Sequence, residues 1–201
     1  MIVLVESNFV IELGFLQEEC EDANRIVELA ERHAIELVVP AYSLGEPYDM
    51  LIRRRNDRRS TLDKLRRELQ TASRSRGFAD LREMSEKATD AFAATATHER
   101  NGLDGVVRRL IACATVTALS KDIITNSFAA QVRYELGPQD SLVFASVDEY
   151  VRASGPGPKL FINKNHKDFL TTEIQDHFGQ FECKLLPRFA SAREFIEKGL
   201  R

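Results

Sequence analysis

The chain has 201 residues, of which 43% are hydrophobic and 29% charged, and its formal net charge is -3. That length and apolar content suit one domain with embellishments and exclude wholesale disorder. The slight acidity gives no overall pull toward polyanions, so charge distribution matters more than the total. Cys20, Cys113 and Cys183 are widely spaced and form no CxxC pair or disulfide framework, which fits a reducing compartment and buried small hydrophobes.

Residues 2–6 are short, apolar and β-branched and open into Ser7-Asn8, the pattern of a buried strand. Residues 9–19 put Phe9, Leu13 and Leu16 on one helical face, and residues 22–34 turn Ile26, Leu29 and Ala30 inward. Residues 35–39 predict a second strand, stopped by Pro40. Strand-helix-strand order implies a right-handed crossover and a parallel sheet. A helix after Pro40 should carry Glu46, and it is expected to start or kink at Pro47, which suits no helix interior. Residues 53–82 are polar and rich in arginine, with Leu62, Leu65 and Leu69 as a thin apolar stripe. Together with residues 83–100 they are expected to form a helical hairpin or arm. Residues 103–119 read as a strongly apolar helix and 127–135 as another. Gly137-Pro138 breaks the chain, and Gln139-Asp140 begins a helix running to about Arg152. A loop at 155–158 leads into a strand at 159–163, a helix at 170–178, a short strand at 183–186 and a closing helix at 191–199. There is no internal repeat or low-complexity tract.

Four acids fall where this order ends its strands or starts its helices: Glu6, Glu46, Asp140 and Asp168. Ligands of an open parallel sheet collect at the carboxyl ends of its strands. Carboxylates gathered there repel one another unless a cation neutralises them. Hard divalent cations such as Mg²⁺ take oxygen ligands and keep positions open for phosphate oxygens. The set points to metal-assisted phosphodiester chemistry. Each acid has an ordinary reading as well. Glu6 is open to a solvated or helix-capping role, and Asp140 and Asp168 to capping their helices. What favours a shared site is that all four predicted positions lie at one end of the sheet.

Four separated segments carry a resemblance. They are Val-Glu-Ser-Asn-Phe-Val at 5–10, Val-Val-Pro-Ala-Tyr-Ser-Leu-Gly-Glu at 38–46, Gln-Asp-Ser-Leu-Val-Phe-Ala-Ser at 139–146 and Phe-Ile-Asn-Lys-Asn-His-Lys-Asp-Phe at 161–169. The ordered set resembles PIN-domain nucleases, the fold of VapC-type toxins and related ribonucleases, over residues 1–48 and 135–190. The resemblance implies a three-layer α/β/α sandwich with a central, mostly parallel sheet. Here it would be a single domain over residues 1–201 with a helical insertion or arm at about 49–134. It implies catalytic acids at Glu6, Glu46, Asp140 and Asp168, with Mg²⁺ or Mn²⁺ held by Glu6, Asp140 and Asp168. Ser7, Asn8 and Asn165 would orient the carboxylates. Glu6 departs from the family's usual aspartate: it is one methylene longer, and Mg²⁺ tolerates little geometric error. The activity implied is a metal-dependent endoribonuclease that hydrolyses RNA phosphodiester bonds, as a toxin restrained by an antitoxin. A homodimer is a family expectation.

Beside the acids, Lys164 and Lys167 are candidates to touch phosphates as point charges. In the arm, Arg53, Arg54, Arg55, Arg58 and Arg59 are candidates to follow a phosphate backbone. The same arm reads equally as a solvated helix laced with ion pairs, or as a face for a second protomer or an acidic protein partner. His33, His98, His166 and His177 show no zinc-ligand spacing, and His33 and His177 read as surface residues near helix ends. No GxSxG, GxGxxG or P-loop sequence is present. A phosphotransfer fold needs a second acid after the first strand, where this chain has Glu6-Ser7-Asn8. The competing non-enzymatic reading is a catalytically silent PIN-like module for RNA binding or assembly. The N-terminal apolar run meets Glu6 at once and lacks a basic start, so it reads as a poor signal peptide, and the apolar run at 110–119 is far short of the ~20 residues of a span; a soluble cytoplasmic protein without membrane contact is expected.

Overall fold

Side chains of a strand alternate between two faces, and here both faces of every inner strand are apolar. In the computed structural model, which describes residues 1–72, 74 and 81–200 (the side chains of Leu81, Arg82 and Ser85 excepted), these strands build one parallel sheet. The strands are β1 (Ile2–Val5), β2 (Glu36–Pro40), β3 (Thr115–Thr117), β4 (Lys159–Ile162) and β5 (Cys183–Leu186), in the order β3-β2-β1-β4-β5. Val3 pairs with Leu37 on one side and Leu160 on the other. Arg76 and Asp80, placed in the arm from sequence, lie outside the described residues.

The alternation assigns the layers. Val3, Val5, Leu37, Val39, Leu160 and Ile162 pack with α1 (Ser7–Gly14), α2 (Cys20–Glu31) and α9 (Phe189–Gly199). The bases of α3 (Ala41–Ala72) and α4 (Leu81–Cys113) join that face through Leu44, Leu51, Leu103 and Leu110. Leu4, Val38 and Phe161 face the other way. They meet α5 (Lys121–Tyr134), α6 (Pro138–Ala153), α7 (His166–Phe169) and α8 (Thr172–Gly179) through Ala130, Phe144, Phe169 and Phe178. The result is a three-layer α/β/α sandwich. Burying a phenylalanine of this kind stabilises the fold by about 1.5–3 kcal/mol.

Beyond their bases α3 and α4 run antiparallel as a hairpin, with Arg58 on Glu99 at 2.6 and 2.7 Å and Tyr48 on Asp104 at 2.7 Å. Pro47 neither starts nor ends α3 but sits inside it, in the second turn. The helix starts at Ala41, directly after β2. The predicted helix at 103–119 is also corrected. α4 stops at Cys113, and Thr115-Val116-Thr117 leaves it to pair with β2 as an edge strand. The β-branched run prefers the pleated edge, and β2 offers it a partner. Because β3 belongs to the sheet and α5 packs on α6, the part of residues 49–134 outside the sandwich is the hairpin. His177, expected at the surface, is buried against Phe144 and Phe178 and hydrogen-bonded to Asp148 at 2.7 Å. Its aromatic surroundings come from three different helices and β5's approach, which local spacing cannot reveal. Among the described residues no helix is long and apolar enough to cross a membrane.

Candidate active site

The chain leaves β1 toward β2 on one side and returns much later to β4 on the other, so the strand order reverses beside β1. A crevice opens at the carboxyl ends of strands around such a reversal. Glu6 follows β1 directly, Glu46 lies on the helix leaving β2, and Asn163, Lys164 and Asn165 follow β4. Asp140 is in the first turn of α6.

Glu6 is 5% exposed. Its Oε2 accepts the backbone N–H of Asn8 at 2.9 Å and so caps α1. Its Oε1 is buried with no hydrogen-bond partner among the described residues. Burial pushes the carboxyl up to about 7, the Asn8 backbone and side chain oppose this, and the charges of Glu46 and Asp140 add to it. Glu46 in turn accepts a short hydrogen bond from Ser7 Oγ. Asn165 Nδ2 reaches Asp140 Oδ1 at 3.2 Å and Asp168 Oδ2 at 2.7 Å, tying the third and fourth acids together. Burial raises Asp140 above the ordinary aspartate range, against the Asn165 hydrogen bond, and the Asp168 charge raises it further.

The sequence-predicted acids therefore converge unevenly. Glu6 feels the charges of Glu46 and Asp140, while exposed Asp168 joins through Asp140 and Asn165. Asp140 does not cap α6: the N-cap is Gly137, and the Asp140 carboxylate turns to Asn165. Among the described residues no group of three or more His, Cys, Asp or Glu side chains is placed to hold a metal ion. Ser7, Asn8 and Asn165 each hold one or two of the acids.

The basic candidates separate into used and free charges. Lys164 donates to buried Glu12 at 2.8 Å and lies over the Phe189 ring at 5.5 Å, which takes its ammonium away from a phosphate. Lys167 is exposed beside the acids. Arg54 stacks on Phe15 at 4.7 Å and Arg58 pairs with Glu99. Arg53, Arg55 and Arg59 are exposed and form no ion pair among the described residues.

Two residues of the site escaped the sequence reading. Tyr42 lies within reach of the Glu46 and Asp140 charges; burial first, then Glu46, raises its hydroxyl, and nearby Gln139 opposes this. Its spacing of four residues from Glu46 on one helix was the signal that could have found it. Asn163 is buried and its Oδ1 accepts the Asn165 backbone N–H at 2.7 Å, which shapes the turn that aims Asn165. No protein-family model matches the chain, and no curated protein matches it.

Proposed function

We propose that the protein is a divalent-metal-dependent endoribonuclease of the PIN type, cutting RNA phosphodiester bonds at the carboxyl edge of its sheet. The observation that carries this reading is Glu6 Oε1, a buried carboxylate oxygen without a hydrogen-bond partner among the described residues, on a side chain that feels the charges of Glu46 and Asp140. A buried carboxylate in that position either takes a proton or takes a cation. The donors are all oxygens, which suits Mg²⁺ or Mn²⁺ and not a metal that prefers thiolate or imidazole. Glu6, Glu46 and Asp140, not gathered into a ligand set as they stand, would have to close on the ion, with Asp168 behind Asp140. When bound, it supplies polarisation of the scissile phosphate and a more acidic attacking water.

The chain's own groups prepare that chemistry. Ser7 holds Glu46, Asn8 holds one oxygen of Glu6 and leaves the other free, and Asn165 holds Asp140 with Asp168. α1, α3 and α6 all begin at this edge, so their positive dipole ends favour a phosphate there. A protein antitoxin that covers this edge belongs to the same proposal.

The test is cleavage of a mixed single-stranded RNA with Mg²⁺ or Mn²⁺ by wild type and Asp140→Asn. The swap keeps shape and removes charge. Cleavage by wild type and its loss in a folded variant is the expected result; equal cleavage by both would sink the site. A second reading, a silent RNA-binding or assembly module, is favoured by one observation. No three ligand side chains among the described residues are placed for a metal. RNA binding without any calorimetric signal for Mg²⁺ or Mn²⁺ would favour that module.

A further inference from the structure

The α3–α4 hairpin carries a groove of about 740 Å³, away from the acid cluster. Among the described residues five arginines line it, Arg55, Arg58, Arg59, Arg66 and Arg100, against one carboxylate, Asp63. Two of the five are committed elsewhere. Arg58 makes a fork to Glu99, and Arg100 pairs with Asp104 at 3.2 Å and lies over the Tyr48 ring. Among the described residues exposed Arg55 and Arg59 make no ion pair, and Arg66 pairs only with Asp63, at 3.9 Å. The groove therefore holds surplus positive charge from planar guanidinium groups, whose forks match phosphate oxygens.

Its walls are not only basic. Phe92 is 42% exposed and Ile52 55%, and both line the groove. An exposed aromatic beside a row of cations is the combination that binds single-stranded nucleic acid: the ring stacks a base and the cations follow the backbone. An acidic amphipathic helix would need a continuous apolar strip. Here the Arg58–Glu99 pair crosses the seam between Leu51 and Leu62, and Thr89 and Thr97 interrupt the α4 wall. Glu46 and Arg55 share α3 nine residues apart, about 14 Å along its axis, and Arg66 lies about 16 Å further on, so one strand could span both regions.

We propose that this groove is a binding site for single-stranded RNA, with Arg55, Arg59 and Arg66 on phosphates and Phe92 stacking a base. It rests on the reading of the protein as an RNA-cutting enzyme and extends it: the arm holds the strand whose continuation enters the acid site. The hairpin base packs on α1, so arm and site are built on the same elements.

Fluorescence anisotropy of an end-labelled, unstructured RNA tests this, in EDTA and on the Asp140→Asn chain so that nothing is cut. The expected result is binding that weakens steeply with salt. Replacing Arg55, Arg59 and Arg66 together by Gln should shallow the plot of log affinity against log salt by about 2, since each single-strand phosphate contact contributes about 0.7. Lys at the same positions should restore the slope. Phe92→Ala should weaken binding by about tenfold or more with the slope unchanged. Absence of RNA binding by the starting protein, or an unchanged affinity and slope in the triple Gln variant with helicity intact by circular dichroism, would overturn the site. So would binding of an acidic amphipathic peptide in the groove with no RNA competition. Since no metal enters the measurement, RNA held by the arm without cleavage by wild type would remove the nuclease reading and leave the groove standing.

Discussion

Glu6 serves two ends with its two oxygens: one closes the first turn of α1, and the other stays buried and unpaired among the described residues. The folded carboxyl titrates near 7 and the unfolded one near 4.5. Stability from this group is therefore complete below about 4.5 and is lost as pH rises through about 7. The loss approaches about 3 kcal/mol as an upper figure, at about 1.4 kcal/mol for each tenfold difference in proton affinity between the two states. Urea unfolding in EDTA between pH 5 and 8 should show this decline, and Glu6→Gln should flatten it and leave the metal-free protein more stable at pH 8. A wild-type stability that does not fall across that window would remove the case for a dry, unpaired acid. Glu12 makes the opposite case of a buried acid with its partner in place. It is fully buried, takes Lys164 on one oxygen and the Glu19 backbone N–H on the other. Lys164→Met leaves that charge unpaired and should cost about 3 kcal/mol. Adding Glu12→Gln should recover most of it; a single-variant loss below about 1 kcal/mol would show that the pair matters little.

At the scale of elements, α4 holds two glycines three residues apart with opposite demands. A Cβ on Gly102 would stand 2.5 Å from the Gly14 carbonyl oxygen of α1, and one on Gly14 would meet Leu103 at 3.2 Å. The close approach of α1 and α4 that seats the hairpin needs bare backbone on both. Gly105 meets nothing within 4 Å. Gly105→Ala should stabilise the protein by about 0.5–1 kcal/mol, the ordinary gain of alanine in a helix. Gly102→Ala should instead destabilise it by about 1–3 kcal/mol through overpacking. Thermal unfolding of the pair separates the two effects, and equal gains from both would mean the helices slide apart at no cost.

For the whole molecule, a cation that binds only the folded state adds stability by mass action. At a hundredfold excess over its dissociation constant the gain is about 2.7 kcal/mol. In a chain of this size that raises the Tm by roughly 5–10 °C. Differential scanning calorimetry with Mn²⁺ against EDTA at pH 8 should show the rise in wild type and its loss in Glu6→Gln. A rise of the same size in both would place the cation elsewhere on the surface.

Much of the sandwich was legible in local pattern. Ile2-Val3-Leu4-Val5 and Lys159-Leu160-Phe161-Ile162 announce buried parallel strands because both their faces are apolar, and Gly137-Pro138 announces the start of α6 by its backbone chemistry. The acids and their holders Ser7, Asn8 and Asn165 could be named because a strand end and a helix start are local events. Other features were not local. Thr115-Val116-Thr117 becomes a strand because β2 offers it an edge, so its neighbours in sequence pointed to helix. Lys164 turns to Glu12, 152 residues away, and His177 to Asp148, because burial rewards a partner wherever the fold supplies one. The unequal roles of the four acids arise the same way. Residue order places each of them at one edge of the sheet, but dielectric and distance act through space, and only the folded chain leaves Glu6 dry while Asp168 meets water.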